Sequence, residues 1–131
     1  MQRKSRTFSG PKIANSLLPM NASPSRLEQL LAFYANDPAD PFTIYALATE
    51  YRAAEPLVAW EYYQKLLAEH SDYVGTYYHA GKLLEQFGRV AEAEEVYRKG
   101  LVISRRAGQL HAASELQGAL NSCLGMDYED D

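Results

Sequence analysis

From Ser25 onward, hydrophobic side chains recur at spacings of three and four residues, which places them on one face of an α-helix. Six segments follow this pattern, with short polar breaks between them, and no stretch alternates for long enough to form a strand. The predicted helices begin near Ser25, Pro41, Pro56, Asp72, Val90 and Gln109. The pattern therefore predicts an all-α fold of about six helices.

Residues with known preferences for helix ends mark several of these starts. Ser25 followed by Glu28 is a capping box. Asp40 before Pro41 combines a good N-cap with a proline at the first helical position. We expect Asp72 to cap the fourth helix in the same way. These signals locate helix starts independently of the hydrophobic pattern.

Two stretches of the chain share one design. The apolar set of the second helix recurs in the fourth, and two positions of the third recur in the fifth at almost the same offset along the chain. The paired sets are Ile44, Leu47, Ala48 and Tyr51 with Tyr77, Ala80, Gly81 and Leu84, and Ala59 and Tyr63 with Ala93 and Tyr97. The small residues Ala48, Gly81, Ala59 and Ala93 let antiparallel helices approach closely. The sequence therefore predicts two equivalent helical hairpins.

The second of these hairpins carries a known motif. Its spacing, Tyr77-x2-Ala80-Gly81-x2-Leu84 followed by Ala93-x3-Tyr97, resembles the tetratricopeptide repeat (TPR), a helix–turn–helix unit of about 34 residues. The first hairpin matches the same motif less closely, and the proline that ends the family pattern is absent from both. The resemblance, which points to a small bacterial-type TPR protein, implies a right-handed stack of antiparallel helical hairpins, a TPR-like α-solenoid.

The resemblance also implies a domain organisation. It places a TPR-like helical domain at 25–125, with repeats at about 41–72 and 73–106 and flanking helices at about 25–36 and 109–124. Because two repeats are fewer than the roughly three that such stacks need for stability, we expect the flanking helices to supply much of the core. The apolar stripe expected in the sixth helix is Leu110, Ala113, Leu116, Leu120 and Leu124.

The two ends of the chain differ in charge from its body. Residues 1–24 carry four basic side chains and no acidic one, whereas the rest of the chain carries a net charge of −8. We interpret 1–24 as a disordered basic extension, or as an addition upstream of a natural translation start at Met20. An organelle transit peptide and a nucleic-acid-contacting arm are the alternatives. Residues 126–131 form an acidic tail.

Candidate chemistry is sparse along the chain. Cys123 is the only cysteine, and the three histidines do not fall at metal-ligand spacing. Three glutamates between 92 and 95 lie at the start of a predicted helix, where the helix dipole favours carboxylates. We therefore expect no catalytic, metal-binding or cofactor-binding residues, and a protein that is not an enzyme. The acidic body and the lack of a long apolar run predict no nucleic-acid or membrane partner and a cytoplasmic location.

The resemblance identifies a candidate partner-binding groove. In TPR stacks the first helix of each hairpin lines a concave surface. The residues implied at this surface are Phe42, Tyr45, Thr49, Arg52, Tyr78, Lys82, Glu85 and Gln86. Some family members bind a chaperone C-terminus through a clamp of Lys, Asn and Arg side chains. Here Tyr45, Thr49, Gly75 and His79 stand at those positions, so we do not expect that function.

These observations favour a non-catalytic protein–protein interaction module that binds a peptide or helix of a partner protein in this groove. Tyr45 and Tyr78 would supply rigid aromatic surface, and Arg52 and Lys82 would meet acidic groups of the partner. The alternative is a self-associating structural or scaffold subunit, a homo-oligomer.

Overall fold

The computed structural model describes residues 24–125, which fold into six α-helices without a β-strand in that range. In chain order they are α1 (Arg26–Asn36), α2 (Pro41–Tyr51), α3 (Pro56–Glu69), α4 (Gly75–Gln86), α5 (Val90–Arg106) and α6 (Leu110–Cys123). The prediction of an all-α, TPR-like stack of six helices is confirmed. The basic segment and the acidic tail, predicted for 1–24 and 126–131, lie outside the described residues except for Pro24.

Local capping explains where the first two helices begin. The Ser25 hydroxyl accepts a hydrogen bond from the Glu28 amide at 3.1 Å, and the Glu28 carboxylate accepts one from the Ser25 amide at 2.8 Å. The Asp40 carboxylate accepts hydrogen bonds from both the amide and the hydroxyl of Thr43. Each cap satisfies amides that have no partner within the helix, as the sequence predicted.

The predicted cap of α4 is wrong. The helix begins at Gly75, after Val74, and no side chain caps it. Val74 is buried, and the ring of Tyr73 packs against the ring of Tyr45 on α2. These packing contacts hold the chain in an extra turn after Asp72, so tertiary structure sets the start of α4 and overrides the local capping signal.

Consecutive helices pair as antiparallel hairpins through small residues. Ala48 on α2 and Ala59 on α3 are fully buried in one core cluster. In the second hairpin, Gly81 on α4 faces the ring of Tyr97 on α5, and a Cβ atom at Gly81 would lie 2.2 Å from that ring. This distance is far inside van der Waals contact, so only glycine fits against Tyr97 in this geometry.

Helix α4 divides the core into two principal clusters. Tyr77 and Leu84 contribute to one cluster, which α5 and α6 complete, whereas Ala80 and Leu83 contribute to the other, with residues of α2 and α3. A third, smaller cluster joins Leu30 of α1 to α2. Both flanking helices therefore supply core residues, as the low repeat number predicted.

The apolar stripe of α6 is buried only in its middle. Leu116 and Leu120 are buried together with Ala113 and pack against α5. Leu110 is 72% exposed and Leu124 is 40% exposed, in contrast to the prediction. Both lie at helix ends, where no further helix covers them among residues 24–125.

We predict that Gly81→Ala destabilises the protein, because the new methyl group would overlap the buried ring of Tyr97. Overpacking of this kind costs about 1–3 kcal/mol of unfolding free energy. Gly118→Ala is the matched control, since no atom lies within 4 Å of its Cβ position and alanine favours the helix by about 0.5–1 kcal/mol. Urea denaturation of both variants measures the difference. Equal stability of the two variants would contradict the close approach at Gly81.

Candidate functional site

The main cluster of partly exposed aromatic and basic side chains lies between α2 and α4. Tyr45 lies on α2, Arg52 directly follows that helix, and His79 lies on α4. The ring centroids of Tyr45 and His79 are 6.0 Å apart, and those of Tyr45 and Tyr73 are 5.5 Å apart. All four side chains are partly buried, so each retains surface for a partner. We call these four residues the α2–α4 cluster.

The start of α4 lies in contact with the cluster. A Cβ atom at Gly75 would lie 3.5 Å from the Tyr45 ring, which is ordinary van der Waals contact. The Tyr45 ring therefore lies directly over the first turn of α4. Burial raises the pKa of the Tyr45 phenol, so its hydroxyl remains protonated and can donate a hydrogen bond at neutral pH.

A hydrogen bond between Arg52 and His79 links the two repeats. Nη1 of Arg52 lies 2.6 Å from Nδ1 of His79. A guanidinium group has only donors, so Nδ1 accepts and the imidazole is neutral with its proton on Nε2. Burial lowers the pKa of His79, and the positive charge of Arg52 lowers it further, whereas Glu115 on α6 raises it. The structure thus favours the neutral imidazole.

Tyr63 on α3 forms the floor beneath this cluster. It is fully buried, and its ring stacks on His79 with 6.4 Å between centroids and 16° between planes. Its hydroxyl is buried without a hydrogen bond to the residues described. Burial raises the pKa of this phenol, and the neighbouring Arg52 and Thr49 act in the opposite direction. The hydroxyl is therefore protonated and buried beneath the cluster.

A second aromatic–cation pair continues along α4. The ammonium group of Lys82 lies 5.6 Å from the centre of the Tyr78 ring, which is within the range of a cation–π contact. Tyr78 is partly buried against the core formed with α5 and α6, whereas Lys82 is exposed. The pair extends the surface from the α2–α4 cluster towards α6.

The remaining predicted groove residues are placed differently. Thr49 is exposed and donates its hydroxyl to the Tyr45 carbonyl of its own helix, and Gln86 is exposed at the end of α4. The Glu85 carboxylate accepts a hydrogen bond from the Tyr97 hydroxyl, so it is directed towards α5. Phe42 lines a separate depression beside α1. The structure therefore brings together only part of the predicted set.

Solved structures match this arrangement of hairpins. A solution structure of a tetratricopeptide repeat domain protein from Salinibacter ruber is 41% identical to the chain, and the match covers 69% of this chain and 92% of that one with a TM-score of 0.65. This chain belongs to the tetratricopeptide repeat family. A crystal structure of such a domain from the same organism is 40% identical, with coverage of 66% and 98% and a TM-score of 0.64.

A solved structure of lower identity supports the fold alone. A protein from Bordetella parapertussis is 23% identical, and its match covers 80% of this chain and 92% of that one with a TM-score of 0.68. No protein-family model and no curated protein matches the chain. Membership of the TPR family therefore rests on the Salinibacter structures and on the repeat motif.

Two residues of the TPR surface were absent from the predicted set. His79 and Tyr73 both join the α2–α4 cluster. The four-residue spacing of Gly75 and His79 places them on one face of α4. This spacing is the feature of the sequence that could have indicated His79 as a surface residue. Nothing in the sequence pairs His79 with Arg52 on the preceding repeat, because that contact depends on how the two repeats pack.

The cysteine on α6 lacks the features of an activated nucleophile. The thiol of Cys123 lies 3.9 Å from the Val90 carbonyl, and burial raises its pKa, which disfavours the nucleophilic thiolate. Within 24–125, no group of three histidine, cysteine, aspartate or glutamate residues could hold a metal ion. No helix in that range is long and apolar enough to cross a membrane.

We predict that His79 makes the stability of this TPR domain depend on pH. Its pKa is lowered in the folded state from 6.5, so the unfolded chain takes up a proton first as the pH falls. The stabilisation is present above about pH 6.5 and is lost at lower pH. Melting temperatures between about pH 7.5 and about pH 5.5 should fall less steeply for His79→Gln than for the wild type. His111→Gln, which removes an exposed histidine, is the control, and a slope unchanged in His79→Gln would contradict the prediction.

Proposed function

We propose that the protein is a non-catalytic interaction module that binds a peptide or helix of a partner protein across α2 and α4. The observation that carries the proposal is the α2–α4 cluster, where partly exposed aromatic and basic side chains meet at the junction of two repeats. TPR domains are typical protein-interaction or scaffold modules, which agrees with this proposal.

The aromatic residues supply the contact area. Tyr45, Tyr73 and Tyr78 are partly buried, so their rings are already held in place before a partner binds. Binding then costs little side-chain entropy, and each ring offers an apolar face together with a polar hydroxyl. Such residues are frequent among those that contribute most to binding energy at protein interfaces.

The basic residues would select a partner segment that carries negative charge. Arg52 and Lys82 lie on a chain whose residues 25–131 carry a net charge of −8, so they form a local exception to its acidic surface. Arg52 uses Nη1 towards His79 and has further N–H donors for a carboxylate. The proposed partner segment therefore combines an acidic side chain with apolar residues. Its affinity would be micromolar, as expected for a small concave surface.

The proposed binding surface differs in part from the groove residues predicted in the sequence analysis. It consists of Tyr45, Thr49, Arg52, Tyr73, Tyr78, His79, Lys82 and Gln86. Glu85 is left out because its carboxylate binds Tyr97, and Phe42 because it lines a different depression. An enzymatic role gains no support from any side chain of this surface.

We predict that Arg52→Glu with Lys82→Glu abolishes capture of the partner from a lysate of the source organism. The reversal of two charges would repel an acidic partner segment while leaving the buried tyrosines in place. Lys99→Glu with Arg106→Glu is the matched control, because it reverses two positive charges at exposed positions of α5. Quantitative mass spectrometry compares the captured proteins after circular dichroism has shown equal helix content. Proteins recovered equally with the double variant and the control would exclude this surface.

Exposed apolar residues at the α5–α6 turn support the second candidate, self-association. Leu110 and Val102 are both exposed near this end of the stack. If copies associate there, the mass measured by sedimentation should rise with protein concentration. Leu110→Asp should remove that rise, and Leu57→Asp, which alters an equally exposed leucine on α3, should not. A constant monomer mass over the whole concentration range would exclude this candidate.

A further inference from the structure

A depression of about 490 Å³ lies between α1 and the start of α2. Leu30 forms its base and is buried against α2, whereas Phe33 is 55% exposed and Phe42 is 65% exposed. Exposed apolar side chains gathered in one patch mark interaction sites more often than scattered ones. We call this patch, together with the charged residues that line it, the α1 face; it consists of Arg26, Leu30, Phe33, Asp37, Asp40 and Phe42.

Comparison with the next repeat shows why this face is open. At a constant offset of 33 residues, α1 corresponds to α3, and the last residues of the two helices, Asn36 and Glu69, coincide. Phe33 then corresponds to Leu66, which is fully buried in the core cluster that α3 shares with the preceding helix α2. No helix precedes α1 within residues 24–125, so Phe33 has no such neighbour in that range.

The other end of the described stack is formed by α6 and differs in character. Between its ends, the exposed side of α6 is polar and carries His111, Ser114, Glu115 and Gly118. The exposed leucines, Leu110 and Leu124, lie at either end of the helix. Packing of α1 from one copy on α6 from another would therefore bury apolar against polar side chains. Two α1 faces match each other better, and such a contact closes as a dimer with twofold symmetry.

Charges along α1 are arranged to pair with a second copy of the same helix. Arg26, Leu30, Phe33 and Asp37 follow one another at spacings of four, three and four residues, so they form one stripe. Arg26 lies at the start of this stripe, and Asp37 lies at its end with Asp40 beside it. The positive and negative ends are about 16 Å apart along the helix. Phe33 lies close to the midpoint between them.

We propose that the α1 face binds a second copy of the protein, with the two α1 helices packed antiparallel in a twofold-symmetric dimer. In this orientation Arg26 of each copy meets Asp37 of the other, and the two Phe33 rings lie close to the symmetry axis. Parallel packing would place like charges together and is disfavoured. The proposal does not depend on the binding surface on α2 and α4, because it uses other side chains.

The charged groups of the α1 face retain capacity for this contact. Arg26 donates through Nε to Glu50 at 2.8 Å, and a guanidinium has further N–H donors for a carboxylate. Asp37 accepts a backbone amide through Oδ1, and a carboxylate accepts more than one hydrogen bond. Hydrogen bonds from Thr43 lower the pKa of Asp40, so this carboxyl is ionised at neutral pH. Exposed ion pairs add little affinity, so they set the orientation while the phenylalanines supply the buried area.

Sedimentation equilibrium of the full chain tests the proposal. We expect the mass to rise with concentration from monomer to dimer and no further, with a dissociation constant of roughly micromolar, since the contact is small. Phe33→Asp should raise that constant at least about tenfold. Leu110→Asp, which alters an exposed leucine at the other end of the stack, is the control and should leave it unchanged. A monomeric wild type, assembly beyond the dimer, or a dimer insensitive to Phe33→Asp would overturn the proposal.

Charge reversal tests the antiparallel orientation. Arg26→Asp and Asp37→Arg should each weaken the dimer at least about tenfold, because each places like charges opposite one another twice. An equimolar mixture of the two variants should form a mixed dimer, since opposite charges then meet again at both ends. Both changes suit the helix dipole, so α1 should stay folded, which circular dichroism checks. Native mass spectrometry separates the species by mass. A mixture that dimerises no better than either variant alone would overturn the proposed pairing of α1 with α1.

Discussion

The fold depends on close approach between paired helices at positions where a large side chain cannot fit. Gly81 lies against the ring of Tyr97, and Gly100 on α5 lies equally close to Tyr77. These reciprocal contacts bring α4 and α5 together and bury two tyrosines completely. The side chains of the candidate surface on α4 are oriented by this pairing, because the opposite face of the same helix is fixed against α5. The orientation of this candidate surface is therefore coupled to the glycines of the core.

The fold was largely predictable from the sequence because its determinants are local or repeat at a fixed spacing. Helical periodicity located six helices, and capping residues such as Ser25 and Asp40 identified two starts. The prediction failed where distant contacts decide the structure. The start of α4 follows from packing of Tyr73 and Val74 and not from Asp72. The exposure of Leu110 follows from its place at the end of the stack, where no helix covers it among residues 24–125.

The candidate site was less predictable for the same reason. The family resemblance places Tyr45 and Arg52 at the concave surface, but the sequence gives no sign that His79 accepts a hydrogen bond from Arg52. Likewise, the family resemblance implies that Glu85 is a groove residue, although the Tyr97 hydroxyl donates a hydrogen bond to its carboxylate. Side-chain partners across helices depend on the distance and angle between repeats. The helical period of a single sequence indicates which residues share a face of each helix, but it does not indicate the angles between repeats.

The position of α4 has a consequence for how the domain unfolds. Its residues alternate between the two principal core clusters, so the loss of either cluster leaves one whole face of the helix in contact with water. A partly unfolded state that keeps one hairpin would therefore have to expose apolar side chains of α4, which makes it unfavourable. Repeat proteins can melt from one end, repeat by repeat. In this short stack, the shared helix disfavours such partly unfolded states. We therefore expect the two repeats to unfold together in a single cooperative transition.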